Sequence, residues 1–301
     1  MQVNAIGAST WIWSSPLDDE ALTRHARRLA GWGFDAIELP LETLEDWSVG
    51  AARSAISETG LGAIVCVVMS PDRDLLHDDR AVVATTQDYL ASAVEIAAEV
   101  GSPVLCGPMY SSVGRTWRIE PDERPELLAR LAQALGPVVD RAESSGVKLA
   151  IEPLNRFETS VFNTVEQTLE LVNGVDSPSC GLLLDTFHMN IEEHDPASAV
   201  ATAGEHLIHF HACSNDRGAP GDDHIDWTGL AAALRRIDYA GAVCIESFTS
   251  TNEAIATAAS VWRPLADTQD EIATRGLAFL RSVIHGSEEA SMRLPNESKR
   301  G

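Results

Sequence analysis

The chain is short of positive charge. Only 22 Lys and Arg stand against 45 Asp and Glu, a formal net charge of −23. Neutralising a nucleic-acid backbone needs clustered Lys and Arg, so that class of partner is excluded. Polyanionic substrates are disfavoured less strongly, because a local basic pocket can sit in an acidic protein; the charge acts mainly on solubility. Cysteine is scarce as well. Cys66, Cys106, Cys180, Cys213 and Cys244 form an odd set with no C-x-x-C pair, mostly in apolar runs. That pattern points to buried free thiols in a reducing compartment. Long apolar runs are missing: no segment approaches the roughly 18 residues of a membrane span. Met1-Gln2-Val3-Asn4 carries no basic or leader-like stretch, so the expected location is the cytoplasm, away from membranes. A phosphate-binding glycine loop is missing too. Gly31-x-Gly33-x-x-Ala36 mimics the dinucleotide fingerprint, but it follows a helical pattern and precedes a strand, the wrong order.

What is present is a regular alternation. Hydrophobic residues make up 45% of the 301-residue chain and the mean hydropathy is −0.05, as in a soluble globule with a large core. Short apolar runs alternate with longer amphipathic ones eight times. The strand candidates are Val3–Ala8, Ala36–Leu39, Ala63–Val68, Val104–Cys106, Val147–Glu152, Gly181–Asp185, Leu207–His211 and Ala242–Glu246. Each is too short for a helix and is bounded by Gly, Pro or polar residues. Helical stretches such as Leu17–Gly31, Arg80–Val100, Pro125–Ser144 and Thr164–Asn173 lie between them, and Gly31, Gly60, Gly101 and Gly146 are positioned as C-terminal stops. Strict alternation implies a parallel sheet, and eight repeats favour closure. The expected architecture is a single (β/α)8 TIM barrel over residues 1–286 with a C-terminal helical extension, followed by a disordered polar tail, 287–301. A barrel of this kind needs about 250 residues.

In such a barrel the functional face lies at the C-terminal ends of the strands. Four consecutive strands, five to eight, finish in Glu152, Asp185, His211 and Glu246. Period-two alternation puts these on the same faces as Ala150, Leu183, His209 and Cys244 respectively. If the terminal residues point into the barrel mouth, three carboxylates and an imidazole converge there. Their mutual repulsion is relieved by a bound cation. Three oxygen donors and one nitrogen suit Mn²⁺, Mg²⁺ or Co²⁺ better than a structural zinc.

Two long segments carry a resemblance. Ile151-Glu152-Pro153-Leu154-Asn155-Arg156-Phe157-Glu158 and Leu184-Asp185-Thr186-Phe187-His188-Met189-Asn190-Ile191-Glu192-Glu193 resemble the signatures of the ketose 3-epimerases. These are the D-tagatose and D-psicose 3-epimerases of the xylose-isomerase-like barrels. The His211 segment, Asp226-Trp227 and Glu246-Ser247-Phe248 fit the same pattern in the same order. The resemblance implies that Glu152, Asp185, His211 and Glu246 hold one divalent metal, Mn²⁺ first among the candidates. It implies that Glu152 and Glu246 are the acid/base pair on opposite faces of the sugar. Glu158, His188 and Arg217 would hold the hydroxyls and carbonyl next to the reacting carbon. A small sugar as partner and a homo-oligomer, dimer or tetramer, follow from the same likeness. The chemistry is physically sound: removing a proton α to a ketone needs a base and a cation that stabilises the enediolate oxygen, and epimerisation returns a proton to the other face.

Other residues leave choices open. His209 is a core residue or a support for His211, and Glu38 faces the pocket or caps its strand. Trp11, Trp13 and Trp117 are candidates for a sugar-stacking wall, and His194 is expected at the surface. After strand seven, Gly221-Asp222-Asp223-His224 departs from the Gly-x-Gly turn of many relatives. Asp223 and His224 are expected near the pocket rim, either as bland loop residues or gripping distal hydroxyls of a longer or cyclic substrate. The second enzymatic reading is accordingly a keto-sugar or keto-inositol isomerase, or a 3-keto C-glycoside lyase subunit, on the same barrel. A metal-dependent nuclease would need further ligands and a basic surface, and a non-catalytic binding barrel gives no reason for two metal-bound glutamates.

Overall fold

The computed structural model describes residues 5–286. Eight parallel strands close into a barrel in the order β1 to β8. They are β1 Ile6–Ser9, β2 Ala36–Leu41, β3 Gly62–Val67, β4 Val104–Gly107, β5 Lys148–Ile151, β6 Cys180–Asp185, β7 Leu207–Ala212 and β8 Val243–Ile245. The ring of helices comprises α1 Asp19–Trp32, α2 Val49–Thr59, α3 Arg80–Val100, α4 Arg124–Ser145, α5 Val165–Val175, α6 Thr186–Glu192, α7 Pro196–Ala203, α8 Trp227–Arg236, α9 Glu253–Ala258 and α10 Gln269–Leu280. The C-terminal helical segment continues from α10 through a wider turn, Arg281–His285. The start of the first expected strand, Val3 and Asn4, and the expected tail 287–301 lie outside the described residues.

The helix boundaries follow from local chemistry. Asp18 accepts from the backbone N–H of Ala21 and starts α1, Ser48 does the same for α2, and Thr164 for α5. Gly60, Gly101 and Gly146 end their helices in the left-handed region, as the sequence suggests. Gly31 does not. It sits inside α1, and the stop is Gly33 at φ 90°, whose N–H bonds the Leu29 and Ala30 carbonyls. A helix tolerates one interior glycine, so the turn is fixed where positive φ is required.

The sheet divides the core into two layers. Outward residues such as Ile151, Leu182, Leu184, Phe210 and Ile245 pack under the helices. Inward residues, among them Ile64, Cys66, Cys106, Ala150, Leu183 and Cys244, fill the barrel itself. This is the alternation expected below Glu152, Asp185 and Glu246. One irregularity decides the site. Leu182 pairs with Leu207, but Leu183 pairs with His209, so Ile208 is an extra residue in β7 and Asp185 comes level with His211. In an unbroken register Asp185 would lie beside Phe210, which points outward, and the two inward donors would be staggered. Gly181 makes room for this: a Cβ there would lie 2.3 Å from the His206 carbonyl oxygen and 2.7 Å from Ile208 Cδ1.

Candidate active site

Glu152 and Glu246 stand one residue beyond β5 and β8, while Asp185 and His211 end or nearly end β6 and β7. All four are buried, and one donor atom of each lies within 4.8 Å of the others. His211 Nδ1 is 3.4 Å from Glu246 Oε1, 3.9 Å from Asp185 Oδ2 and 4.0 Å from Glu152 Oε1. Each residue is held from behind. The Glu152 carbonyl accepts from the Tyr110 hydroxyl at 2.9 Å. Asp185 caps α6: its Oδ1 accepts from the N–H groups of Phe187 and His188, leaving Oδ2 to face the mouth. The same cap delivers His188, in the first turn of α6, to the chamber.

Burial would push both Glu152 and Asp185 up, and it does; for Glu152 the neighbouring Glu246 adds to it. Glu246 is also desolvated, but the charges of His211 and Arg217 outweigh burial and hold it below the usual carboxylate range. Burial would lower His211, yet the carboxylates of Glu38 and Glu246 raise it well above an ordinary imidazole. The electrostatics are those of an anionic cage seeking positive charge. Glu152 Oε1 and His211 Nδ1 are buried with no hydrogen-bond partner in the protein. Two such orphans facing each other across carboxylates cost free energy unless a cation takes their lone pairs. The donor set fits a hard or borderline divalent ion, and its binding would displace a proton from the imidazole.

Arg217 carries the opposing charge. Its Nη1 donates to Glu246 Oε2 at 2.6 Å and to Asp185 Oδ2 at 3.1 Å, and Nη2 lies 3.0 Å from His188 Nε2. The guanidinium is sandwiched between Phe187, 4.2 Å from the ring centre, and Phe248 at 5.2 Å. Arg217 reaches this position from a backbone φ of 70°, an arrangement that costs a non-glycine residue about 1–2 kcal/mol. His188 Nδ1 accepts from the Asn155 N–H at 3.0 Å. Burial, reinforced by the Arg217 charge, keeps its ring neutral. Glu158 is tied to Asn155 Nδ2 at 2.7 Å, and burial raises its carboxyl.

Glu152, Glu158, His188, Arg217 and Glu246 line an inner chamber of about 90 Å³, with Trp11, Pro108 and Phe248 as apolar walls. It shares its upper lining with an outer cleft of about 680 Å³ that includes Ser15, Glu42, Phe157, Phe187 and Ile191. Trp11 is on the wall as expected, tilted against Phe248 at 5.5 Å. Trp13 is not: it stacks on His25 and donates to Asp270. Trp117 packs on Arg115 instead. Phe187 and Phe248 take the places expected of those two tryptophans. Both lie within the motifs quoted above, and their spacing beyond Asp185 and Glu246 is the signal that could have found them.

Asp223 and His224 line neither chamber. His224 is exposed. Asp223 accepts from the N–H groups of Gly221 and Ile225 and from Trp227 Nε1, so it builds the loop. His194 is exposed, as expected. Glu38 is fully buried in β2 beneath the site, and its Oε2 meets both His209 Nε2 and His211 Nε2. It therefore neither caps its strand nor lines the chamber. All five cysteines are buried and free. Among the described residues no helix is long and apolar enough to cross a membrane.

Comparison with known proteins agrees with this geometry. The xylose isomerase-like TIM barrel family matches residues 26–283. A probable ketose 3-epimerase of Synechocystis sp. is 36% identical over 92% of this chain and 96% of its own length. The ketose 3-epimerase of Arthrobacter globiformis is 34% identical over 93% and 96%. Among solved structures, D-allulose 3-epimerase from Methylomonas sp. in complex with D-allulose superposes with a TM-score of 0.87 at 29% identity, covering 94% of this chain and 98% of that one. The chain thus belongs to the xylose isomerase-like TIM barrels and, within them, to the ketose 3-epimerases.

Proposed function

We propose that this protein is an isomerase that inverts C3 of a free ketose, of the D-tagatose, D-psicose, D-fructose or L-ribulose type, with the help of one divalent metal. The observation that carries the reading is the cage of Glu152, Asp185, His211 and Glu246 at the floor of a sugar-sized mouth, with two buried donor atoms left without protein partners. These four residues would hold the ion. The bound cation, Mn²⁺ foremost with Co²⁺ or Mg²⁺ as alternatives, supplies a Lewis acid where negative charge develops on the sugar oxygens. The protein's own groups do the proton work. Glu246 and Glu152 are suited to the two ends of the transfer, one taking the C3 proton and the other returning one. They rise from β5 and β8, on different sides of the mouth. The roles exchange in the reverse direction.

Glu158, His188 and Arg217 are the substrate-binding residues of this reading. A neutral imidazole has one N–H and one lone pair. Asn155 uses the His188 Nδ1 lone pair, so Nε2 carries the hydrogen and faces an Arg217 N–H. A sugar oxygen between His188 and Arg217 would accept from both and relieve that opposition. Arg217 is the sole cation lining the two chambers among the described residues, and it is already engaged by carboxylates. Unphosphorylated sugars are therefore the expected substrates. Five buried free thiols favour a reducing, cytoplasmic setting. A homo-oligomer, dimer or tetramer, belongs to the same reading; among the described residues Phe157, 75% exposed, and Trp262, 74%, are the exposed large apolar side chains.

The volume of the outer cleft supports a second reading, in which the same proton chemistry acts on a larger keto-sugar or keto-inositol, or leads to cleavage of a 3-keto C-glycoside. Product analysis separates them. Incubation with Mn²⁺ and a panel of free ketoses, their phosphate esters, keto-inositols and keto-glycosides should give C3 epimers of the free ketoses with the highest kcat/KM. A clear preference for a phosphate ester or a keto-glycoside would overturn the first reading.

A further inference from the structure

We propose that Glu38 and His209 are positioning residues for His211: they fix its Nε2–H tautomer, so that Nδ1 presents its lone pair to the metal position. The inference rests on the metal-dependent reading of the site. It begins with a shared atom. Glu38 Oε2 lies 2.8 Å from His211 Nε2 and 2.9 Å from His209 Nε2. All three side chains are fully buried. An ionised carboxylate can only accept, so both nitrogens that approach it must carry hydrogen. For His211 this leaves Nδ1 to face the mouth, where its neighbours are carboxylate oxygens of Glu152, Asp185 and Glu246. The opposite tautomer would set a lone pair against Glu38 and a hydrogen into the space an ion must occupy.

The second histidine has a distinct task. Glu38 is on β2 and both histidines are on β7, so the two hydrogen bonds cross the barrel interior through a layer otherwise filled by Ile64, Cys66, Cys106 and Cys244. A carboxylate held by a single donor in an apolar layer could rotate towards the mouth. His209, one alternation below His211 and edge-on to it at 83°, supplies a second N–H to the same oxygen and pins it. Glu38, Cys106, His209 and His211 are close enough to enclose an ion themselves. The two Nε2–Oε2 separations are hydrogen-bond lengths, however, which places a proton in each, and Cys106 Sγ stands off at 3.9 Å. The group is therefore a support for the metal site above it. Partners that orient a metal-bound imidazole through its other nitrogen affect affinity about 10- to 100-fold.

The test is the Mn²⁺ dissociation constant of the apo protein, read from the electron paramagnetic resonance signal of free Mn²⁺. Glu38→Gln should weaken binding about 10- to 100-fold. His209→Leu, which removes the second donor, should weaken it less, and His209→Gln, which keeps an N–H donor, should restore tighter binding than His209→Leu. If Glu38→Gln does not fold, the two His209 variants still decide the matter, because a packing role would favour Leu over Gln. Wild-type affinity in both Glu38→Gln and His209→Leu would overturn this inference while leaving the metal-dependent reading intact. Failure of the wild-type protein to bind Mn²⁺ would overturn both.

Discussion

Asp223→Ala separates a loop-building role from a substrate-gripping one. In the folded protein the Asp223 carboxylate accepts from the Gly221 N–H at 3.0 Å, the Ile225 N–H at 2.9 Å and Trp227 Nε1 at 2.9 Å. Trp227 is buried against Phe279 of α10 at 5.6 Å, so this side chain helps anchor the loop after β7 to the C-terminal helix, beside the Asp222–Arg275 ion pair. A net hydrogen bond to a charged acceptor contributes about 1.5–3 kcal/mol when well shielded. The backbone donors here regain water, and the Trp227 N–H only in part, so a total loss of about 2–4 kcal/mol is expected. Unfolding entropy for a chain of this size is about 0.6 kcal/mol per kelvin, which places the fall in Tm at roughly 3–7 °C. Asp223→Asn should keep part of the loss from appearing. The assay pairs differential scanning calorimetry with kcat/KM on a ketopentose and a ketohexose, below the unfolding range. A fall in Tm with kcat/KM changed less than about threefold on both sugars is the expected result; a true substrate contact would cost about five- to a hundredfold. An unchanged Tm together with a tenfold loss confined to the ketohexose would refute the reasoning.

Chelation should abolish turnover and lower Tm. A ligand held at a hundred times its dissociation constant stabilises by about 2.7 kcal/mol, or about 4–5 °C here. Mn²⁺ or Co²⁺ should restore both, and full activity in protein shown metal-free by elemental analysis would contradict the reading. His25 sets an acid limit on stability far from the site. Burial, aided by the charges of Arg24 and Arg28, lowers its pKa to about 4 from 6.5. Below pH 6.5 the unfolded chain takes up a proton that the folded ring refuses, so stability is full above that pH and declines as pH falls towards 4. The shift corresponds to about 3 kcal/mol at most, and solvent screening brings the expected loss to about 2 kcal/mol. Denaturant unfolding of wild type and His25→Gln at pH 7 and 4.5 checks it: an equal decline in both would clear His25 of the effect.

The barrel was legible because its signals are local and repeated. The runs read as strands, such as Ala36–Leu39 and Gly181–Asp185, are mostly apolar, short and punctuated, and the helices between them carry their own caps. The ends of strands five to eight were legible for the same reason: alternation places Glu152, Asp185, His211 and Glu246 on the faces of Ala150, Leu183, His209 and Cys244, and the structure turns those faces inward. What the residues did not reveal depends on contacts distant in sequence. The extra residue at Ile208 brings Asp185 level with His211, but no turn or breaker in β7 announces it; only Gly181, on the neighbouring strand, carries the trace. The environments of Trp13 and Trp117 are set by Asp270 and Arg115, which no local pattern links to them. Asp223 looked like a free acceptor because the donors it satisfies are backbone groups and an indole of its own loop. Glu38 was ambiguous from β2 alone, since its partners lie across the barrel on β7.

Proton transfer at C3 is the claim on which the account turns, and solvent deuterium tests it directly. With Mn²⁺ present in deuterated water, the epimer formed early in the reaction should carry one deuterium at C3, located by NMR, and none at the other carbons. Glu152→Gln and Glu246→Gln should each fold and lose turnover by several orders of magnitude, since an amide cannot act as a base, with residual C3 exchange confined to one epimer in each. Epimer formed at full rate with C3 still carrying its original hydrogen would show that the hydrogen never reached an exchangeable base, and would contradict the account.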